Sequence, residues 1–134
     1  MQYIANLEKT KEIAAELAKK ARKGDCFCLT GDLGSGKTEF SRSFIQEICS
    51  NANVSSPTFN IMQIYEVSGS TIYHFDLYRL ADTEELVEIG LEDALAGGIC
   101  LIEWPEIAGE ILPKDARNIK FEIIDEFTRK ITIQ

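Results

Sequence analysis

Gly31-Asp32-Leu33-Gly34-Ser35-Gly36-Lys37-Thr38 is the stretch on which the reading of this chain turns. The spacing G-x-x-x-x-G-K-[ST] combines three things that a bound polyphosphate requires. Glycines let backbone N–H groups curl around phosphate oxygens, a lysine reaches the outer phosphates, and a hydroxyl joins the shell of a magnesium ion. Gly31, Gly36, Lys37 and Thr38 fill those roles, and Gly34, Ser35 and Glu39 are read as further nucleotide contacts of the same turn. The context agrees with the motif. Cys26-Phe27-Cys28-Leu29 reads as a buried strand running straight into the loop, and Phe40, Phe44, Ile45 and Ile48 form one stripe of a helix from Lys37 to Cys49. ATP with magnesium is the expected ligand and hydrolysis the expected reaction, with Lys37 expected on a solvent-open loop.

Upstream, Ile13, Ala14, Leu17, Ala18 and Ala21 fall three and four apart, which predicts an amphipathic helix from Thr10, as N-cap, to Lys23, stopped at Gly24. Downstream, the polar loop Asn51 to Pro57 leads to two runs, Phe59 to Val67 and Thr71 to Leu77, that flank Ser68-Gly69-Ser70 as a β-hairpin. Asp82 and Thr83 cap a short helix through Leu86 and Val87, which Leu91 to Leu95 continue after Gly90. Ile99 to Ile102 is an unbroken apolar run of the kind found in parallel strands covered on both faces. Ile119, Phe121 and Ile123, then Ile131 and Ile133, alternate around a polar turn at Asp125-Glu126 and suggest a second hairpin. The expected fold is a three-layer α/β P-loop domain over residues 1–134, with a mostly parallel central sheet and antiparallel hairpins at its edge.

A magnesium ion beside Thr38 needs a second protein group, commonly an acid at the end of a neighbouring strand. Glu103 follows four apolar residues, and Asp76 ends Ile72-Tyr73-His74-Phe75-Asp76. Glu103 is assigned to the metal side and Asp76 to the attacking water, although the residues alone also allow the exchange. Trp104, the only Trp, is either a core or a site residue; His74 reads as structural, and Arg79 as an exposed side chain.

Composition narrows the function further. With 14 basic against 22 acidic residues the net charge is -8, which opposes direct binding to a nucleic-acid backbone, so any nucleic-acid role has to run through a partner. Met1 to Lys20 has no long apolar block, so neither a signal peptide nor a membrane span is expected there, and a cytoplasmic location is. Cys26, Cys28, Cys49 and Cys100 are read as buried small hydrophobes rather than ligands.

Four motifs taken together resemble one family. Gly31 to Thr38, Ser56-Pro57-Thr58-Phe59, His74-Phe75-Asp76-Leu77-Tyr78-Arg79-Leu80 and Ile102-Glu103-Trp104-Pro105-Glu106 are similar, in order and spacing, to the TsaE family (formerly YjeE), and the resemblance spans about Thr10 to Arg129. It implies a cytoplasmic ATPase of tRNA threonylcarbamoyladenosine biosynthesis. Such a protein supports TsaD and TsaB in transferring a threonylcarbamoyl group to the adenosine beside the anticodon, without performing the transfer itself. By the same resemblance Thr38 and Glu103 correspond to magnesium ligands, Thr58 to a switch-like loop residue and Asp76 to an acid needed for hydrolysis. Trp104 corresponds to a nucleotide-site residue, and Thr10 and Arg129 to outer nucleotide contacts. Two other classes compete. A small-molecule kinase would need an acceptor pocket and lid that 134 residues hardly accommodate, and a binding module would use ATP to set assembly with only incidental turnover. The N-K-x-D signature of a GTPase is absent.

Overall fold

The computed structural model describes residues 1–55 and 61–134. In chain order its elements are β1 (Gln2–Ala5), α1 (Leu7–Lys20), β2 (Cys26–Thr30), α2 (Lys37–Ile48), β3 (Met62–Val67), β4 (Ser70–Asp76), α3 (Thr83–Glu88), α4 (Leu91–Gly97), β5 (Ile99–Glu103), a 3-10 segment (Pro105–Ile111), β6 (Arg117–Asp125) and β7 (Thr128–Ile133). The strands form one sheet in the order β1-β7-β6-β2-β5-β4-β3.

The two strands that stay apolar up to their last residue lie at its centre. β2 and β5 pair in parallel with Cys26 beside Cys100 and Leu29 beside Glu103, and every residue of β5 is buried. Burial on both faces explains why neither strand alternates apolar with polar residues. β6 joins β2, and β4 joins β5, also in parallel. The antiparallel pairings sit outside these four, with β7 on β6, β1 on β7, and β3 on β4. The predicted α/β class and its edge hairpins are therefore what the chain adopts.

Each sheet face carries its own apolar layer. Ile13, Ala14 and Ala18 of α1 and Phe40, Phe44 and Ile45 of α2 cover Phe27, Leu29, Leu101 and Ile119. Leu86, Leu91, Ala94 and Ala108 cover Cys26, Cys28, Phe75, Cys100 and Ile102 on the other side. Edge-on ring contacts, Phe27 to Phe44 with centroids 5.1 Å apart and Phe40 to Phe121 at 5.5 Å, tie α2 to β2 and β6. All four cysteines are free and buried, as expected of small core residues, and burial pushes the Cys100 thiol up to about 12.

Several boundaries differ from the sequence reading. α1 starts at Leu7, capped by Asn6, whose side chain accepts from the Lys9 N–H at 2.9 Å; Thr10 lies inside the helix. Asn offers its carbonyl to the helix end better than Thr does, and so wins the cap. The helix closes at Lys20, because the carboxylate of Asp25 holds the Arg22 N–H at 2.8 Å in a turn that contains Gly24. Gly90 adopts φ 76°, which ends α3 and starts α4 as a separate helix, while Asp82 caps α3 through the Glu85 N–H as predicted. The C-terminal turn falls one residue later than expected, with Asp125 paired to Thr128. β1 has no counterpart in the sequence reading. Among the described residues, no helix is long and apolar enough to cross a membrane.

Candidate functional site

Gly31 to Gly36 leave the C-terminal end of β2 and turn directly into α2. Gly36 takes φ 108° at the helix N-cap, and no side chain caps it. Among the described residues no side chain therefore satisfies the first-turn N–H groups of α2, which is the arrangement by which a helix start receives an anion. A Cβ on Gly31 would lie 2.6 Å from Ser35 Oγ and 2.7 Å from the Phe121 carbonyl oxygen, so only glycine lets the loop pass this close to β6. Gly31→Ala should therefore displace the loop. We expect a stability loss of about 1–3 kcal/mol, as for other overpacked sites, together with loss of nucleotide affinity, read by thermal melting and titration of a non-hydrolysable ATP analogue.

Lys37 does not lie on a solvent-open loop. It is 4% exposed, its ammonium donates to the Gly31 carbonyl at 2.6 Å, and the Trp104 ring covers it with the centroid 3.6 Å from Nζ. Burial pushes the ammonium below the usual lysine range, against the pull of the Glu103 and Asp76 carboxylates. Trp104 is half-buried and packs against Tyr78 with ring centroids 4.8 Å apart, so it belongs to the site rather than the core. Its backbone adopts φ 56° and ψ 59°. A left-handed conformation at a bulky residue is costly and is retained mainly where the surroundings impose it, commonly at functional sites.

The two acids meet because their strands are neighbours. Asp76 ends β4 and Glu103 ends β5, and the register places them side by side. Both are buried, at 7% and 3% exposure. Asp76 accepts from the Tyr78 N–H at 3.0 Å, whereas Glu103 Oε2 lies 2.6 Å from His74 Nε2. Gly34, Gly36, Lys37, Thr38, Glu39, Asp76, Glu103 and Trp104, with Leu33, line one cleft of about 220 Å³. Thr38 and the two carboxylates provide only oxygen donors, the set preferred by magnesium. Among the described residues no three His, Cys, Asp or Glu side chains are arranged to hold an ion by themselves. An ion here would share its shell with phosphate oxygens, as magnesium commonly does. A buried Ser35 hydroxyl with no hydrogen-bond partner lies within this loop and offers a further polar group to a ligand. These residues fit a magnesium–polyphosphate complex.

A second cleft of about 530 Å³ opens beyond the loop, lined by Asn6, Leu7, Thr10, Gly34, Gly36, Glu39, Phe127 and Arg129 among others. Thr10 and Arg129, 119 positions apart in the chain, thus reach one cavity next to Gly34. Arg129 donates to the Gly34 carbonyl at 3.2 Å and to the Asp125 carbonyl at 2.7 Å, which ties the β6–β7 turn to the loop. The Thr10 hydroxyl donates to the Asn6 carbonyl at 2.9 Å, and Glu39 pairs with Arg42. Arg79 is exposed, as expected. Thr58 lies outside the described residues.

The family model for the threonylcarbamoyl adenosine biosynthesis protein TsaE matches residues 4–131. The chain belongs to the TsaE family. A Rickettsia felis tRNA threonylcarbamoyladenosine biosynthesis protein TsaE is 45% identical over 134 residues, covering 99% of this chain and 78% of that protein. Its Bacillus subtilis counterpart is 38% identical over 128 residues, covering 95% and 80%. The crystal structure of Bacillus subtilis YdiB superimposes with a TM-score of 0.80 at 32% identity, over 99% of this chain and 83% of that one. The fold is therefore that of a P-loop NTPase, and the role of the family lies in tRNA threonylcarbamoyladenosine biosynthesis.

Sequence reasoning did not anticipate two contacts behind this cleft. Phe121, 90 positions after Gly31, supports the loop from β6. His74 was read as structural, yet it bonds the acid assigned to the metal. The signal for it was present: it alternates with Asp76 on one strand, and alternate residues share a sheet face.

Proposed function

We propose that this chain binds ATP with magnesium at the P-loop and hydrolyses it in support of threonylcarbamoyl transfer by TsaD and TsaB in the cytoplasm. The observation that carries this reading is the convergence of Lys37, Thr38, Asp76 and Glu103 on one cleft at the ends of β2, β4 and β5. Brought there by separate stretches of chain, they supply the charge neutralisation, metal ligation and water orientation that phosphoryl transfer requires.

The loop amides and the α2 N-terminus would cradle the phosphates, and the nucleoside end would extend into the cleft shared by Thr10 and Arg129. Lys37 Nζ has three donors, of which one is used on Gly31, so it can turn toward an outer phosphate without being unpaired. Thr38 and Glu103 would hold the magnesium ion, which when bound neutralises charge on the outer phosphates. Asp76 would orient the attacking water. Partner proteins are needed for any contact with tRNA, because a chain of net charge -8 gains little from counterion release.

Trp104 is the only Trp and lies against the Lys37 ammonium, so its emission should report this event directly. Titration with ATP and magnesium is expected to change the emission saturably, as Lys37 shifts from the indole face toward phosphate. The Lys37→Ala variant should give no such saturable change. A flat titration for the parent chain, at concentrations where calorimetry detects binding, would contradict the placement of nucleotide at this loop.

A further inference from the structure

We infer that His74 is a positioning residue, whose imidazole fixes the carboxylate of Glu103 so that one oxygen stays available to the metal–nucleotide site. The inference rests on the reading of Glu103 as the metal-side acid. His74 is the only histidine of the chain and is fully buried in β4. Its Nε2 lies 2.6 Å from Glu103 Oε2, across 29 positions of sequence, and its Nδ1 is buried with no hydrogen-bond partner.

The unpartnered nitrogen determines how the pair is wired. A neutral imidazole carries one N–H and one bare nitrogen, and a buried N–H without an acceptor is unfavourable. The proton therefore belongs on Nε2, which donates to the carboxylate, while Nδ1 keeps its lone pair. Among the described residues no other donor engages Glu103, so Oε2 is taken and Oε1 is left. His74 and Asp76 alternate on β4, and Asp76 is the register partner of Glu103, so all three side chains lie on one sheet face. Ile72 and Leu101, which share that face, belong to the apolar layer under α1 and α2. A residue serving packing alone would be apolar here, and would leave no buried nitrogen unpaired. Partners of metal-binding carboxylates act by fixing which oxygen faces the ion.

Two measurements test the assignment. In the unsubstituted chain, the single ¹⁵N-labelled imidazole should show the Nε2–H tautomer with a slowly exchanging proton. Its Nε2 resonance should move when magnesium is added to a bound non-hydrolysable ATP analogue. An Nδ1–H tautomer would overturn the proposal, even if every variant failed to fold. In the second measurement, manganese replaces magnesium and is titrated by electron paramagnetic resonance with the analogue present. His74→Leu should weaken manganese binding by about 10- to 100-fold. His74→Gln, whose amide can donate to the carboxylate, should recover most of it, and both variants should bind the metal-free analogue as the parent does. His74→Leu with parental manganese affinity, beside a weakened Glu103→Gln, overturns the positioning role alone. Glu103→Gln with parental affinity overturns the metal-side reading beneath it.

Discussion

Replacing Lys37 by Ala is expected to lower ATP turnover by at least about 100-fold, the scale seen when one preorganised donor is removed from a developing oxyanion. Lys37 carries the positive charge that the Gly31 carbonyl and the Trp104 ring hold beside Asp76 and Glu103. Among the described residues, no other cation lines that cleft. The effect on folding should be small. Removing a desolvated ammonium offsets the loss of its hydrogen bond and of the contact with Trp104, and buried charges generally contribute little net stability. Phosphate release at saturating ATP, together with a thermal melt, checks both parts. Parental turnover in a folded Lys37→Ala chain would remove the P-loop from the account.

The second large effect separates the two acids. Asp76→Asn should leave the affinity for a non-hydrolysable ATP analogue within about threefold while lowering single-turnover hydrolysis about 10²- to 10⁴-fold, the range for loss of a proton-handling or water-orienting group. Asn keeps an oxygen to accept from the Tyr78 N–H, so the turn after β4 should survive. Glu103→Gln should instead raise the magnesium concentration needed for analogue binding, by about tenfold or more, since a metal ligand rather than a transition-state contact is lost. The reverse ranking in the same two assays would exchange the roles of these neighbours on β4 and β5.

Much of this is legible in the sequence. The phosphate loop announced itself because its chemistry is local: the glycines, Lys37 and Thr38 fall within Gly31 to Thr38, and the strand and helix beside them have unmistakable patterns. β5 was legible because a strand covered on both faces has no need to alternate. Asp76 and Glu103 were each legible as an acid at a strand end, but their adjacency was not, because strand order is set by the pairing of β4 with β5.

The parts that were not legible depend on contacts between distant positions. Nothing near Lys37 says that Trp104 will cover it, and nothing near Gly31 says that the Phe121 carbonyl will come within reach of its absent side chain. Thr10 looked like a cap because it precedes the apolar stripe; Asn6, four residues earlier, competed for the same helix and prevailed. β1 is four residues long and is held as a strand by β7, from the other end of the chain, so its own composition carries little signal. His74 was read as structural, and its partner, an acid one strand away, leaves no mark in the sequence around it.

On the proposed function, ATP hydrolysis at this P-loop would serve the protein partners rather than tRNA itself. Linkage requires that if ATP favours docking on TsaD–TsaB, docking also favours ATP, although rates need not follow that symmetry. The most direct measurement is phosphate release from ATP with and without magnesium, for the chain alone, with TsaD–TsaB, and with tRNA alone at physiological salt. The account predicts magnesium-dependent release that rises with the TsaD–TsaB pair and is unchanged by tRNA alone. Stimulation by tRNA alone, with none from the protein pair, would contradict it and identify an RNA-dependent ATPase instead.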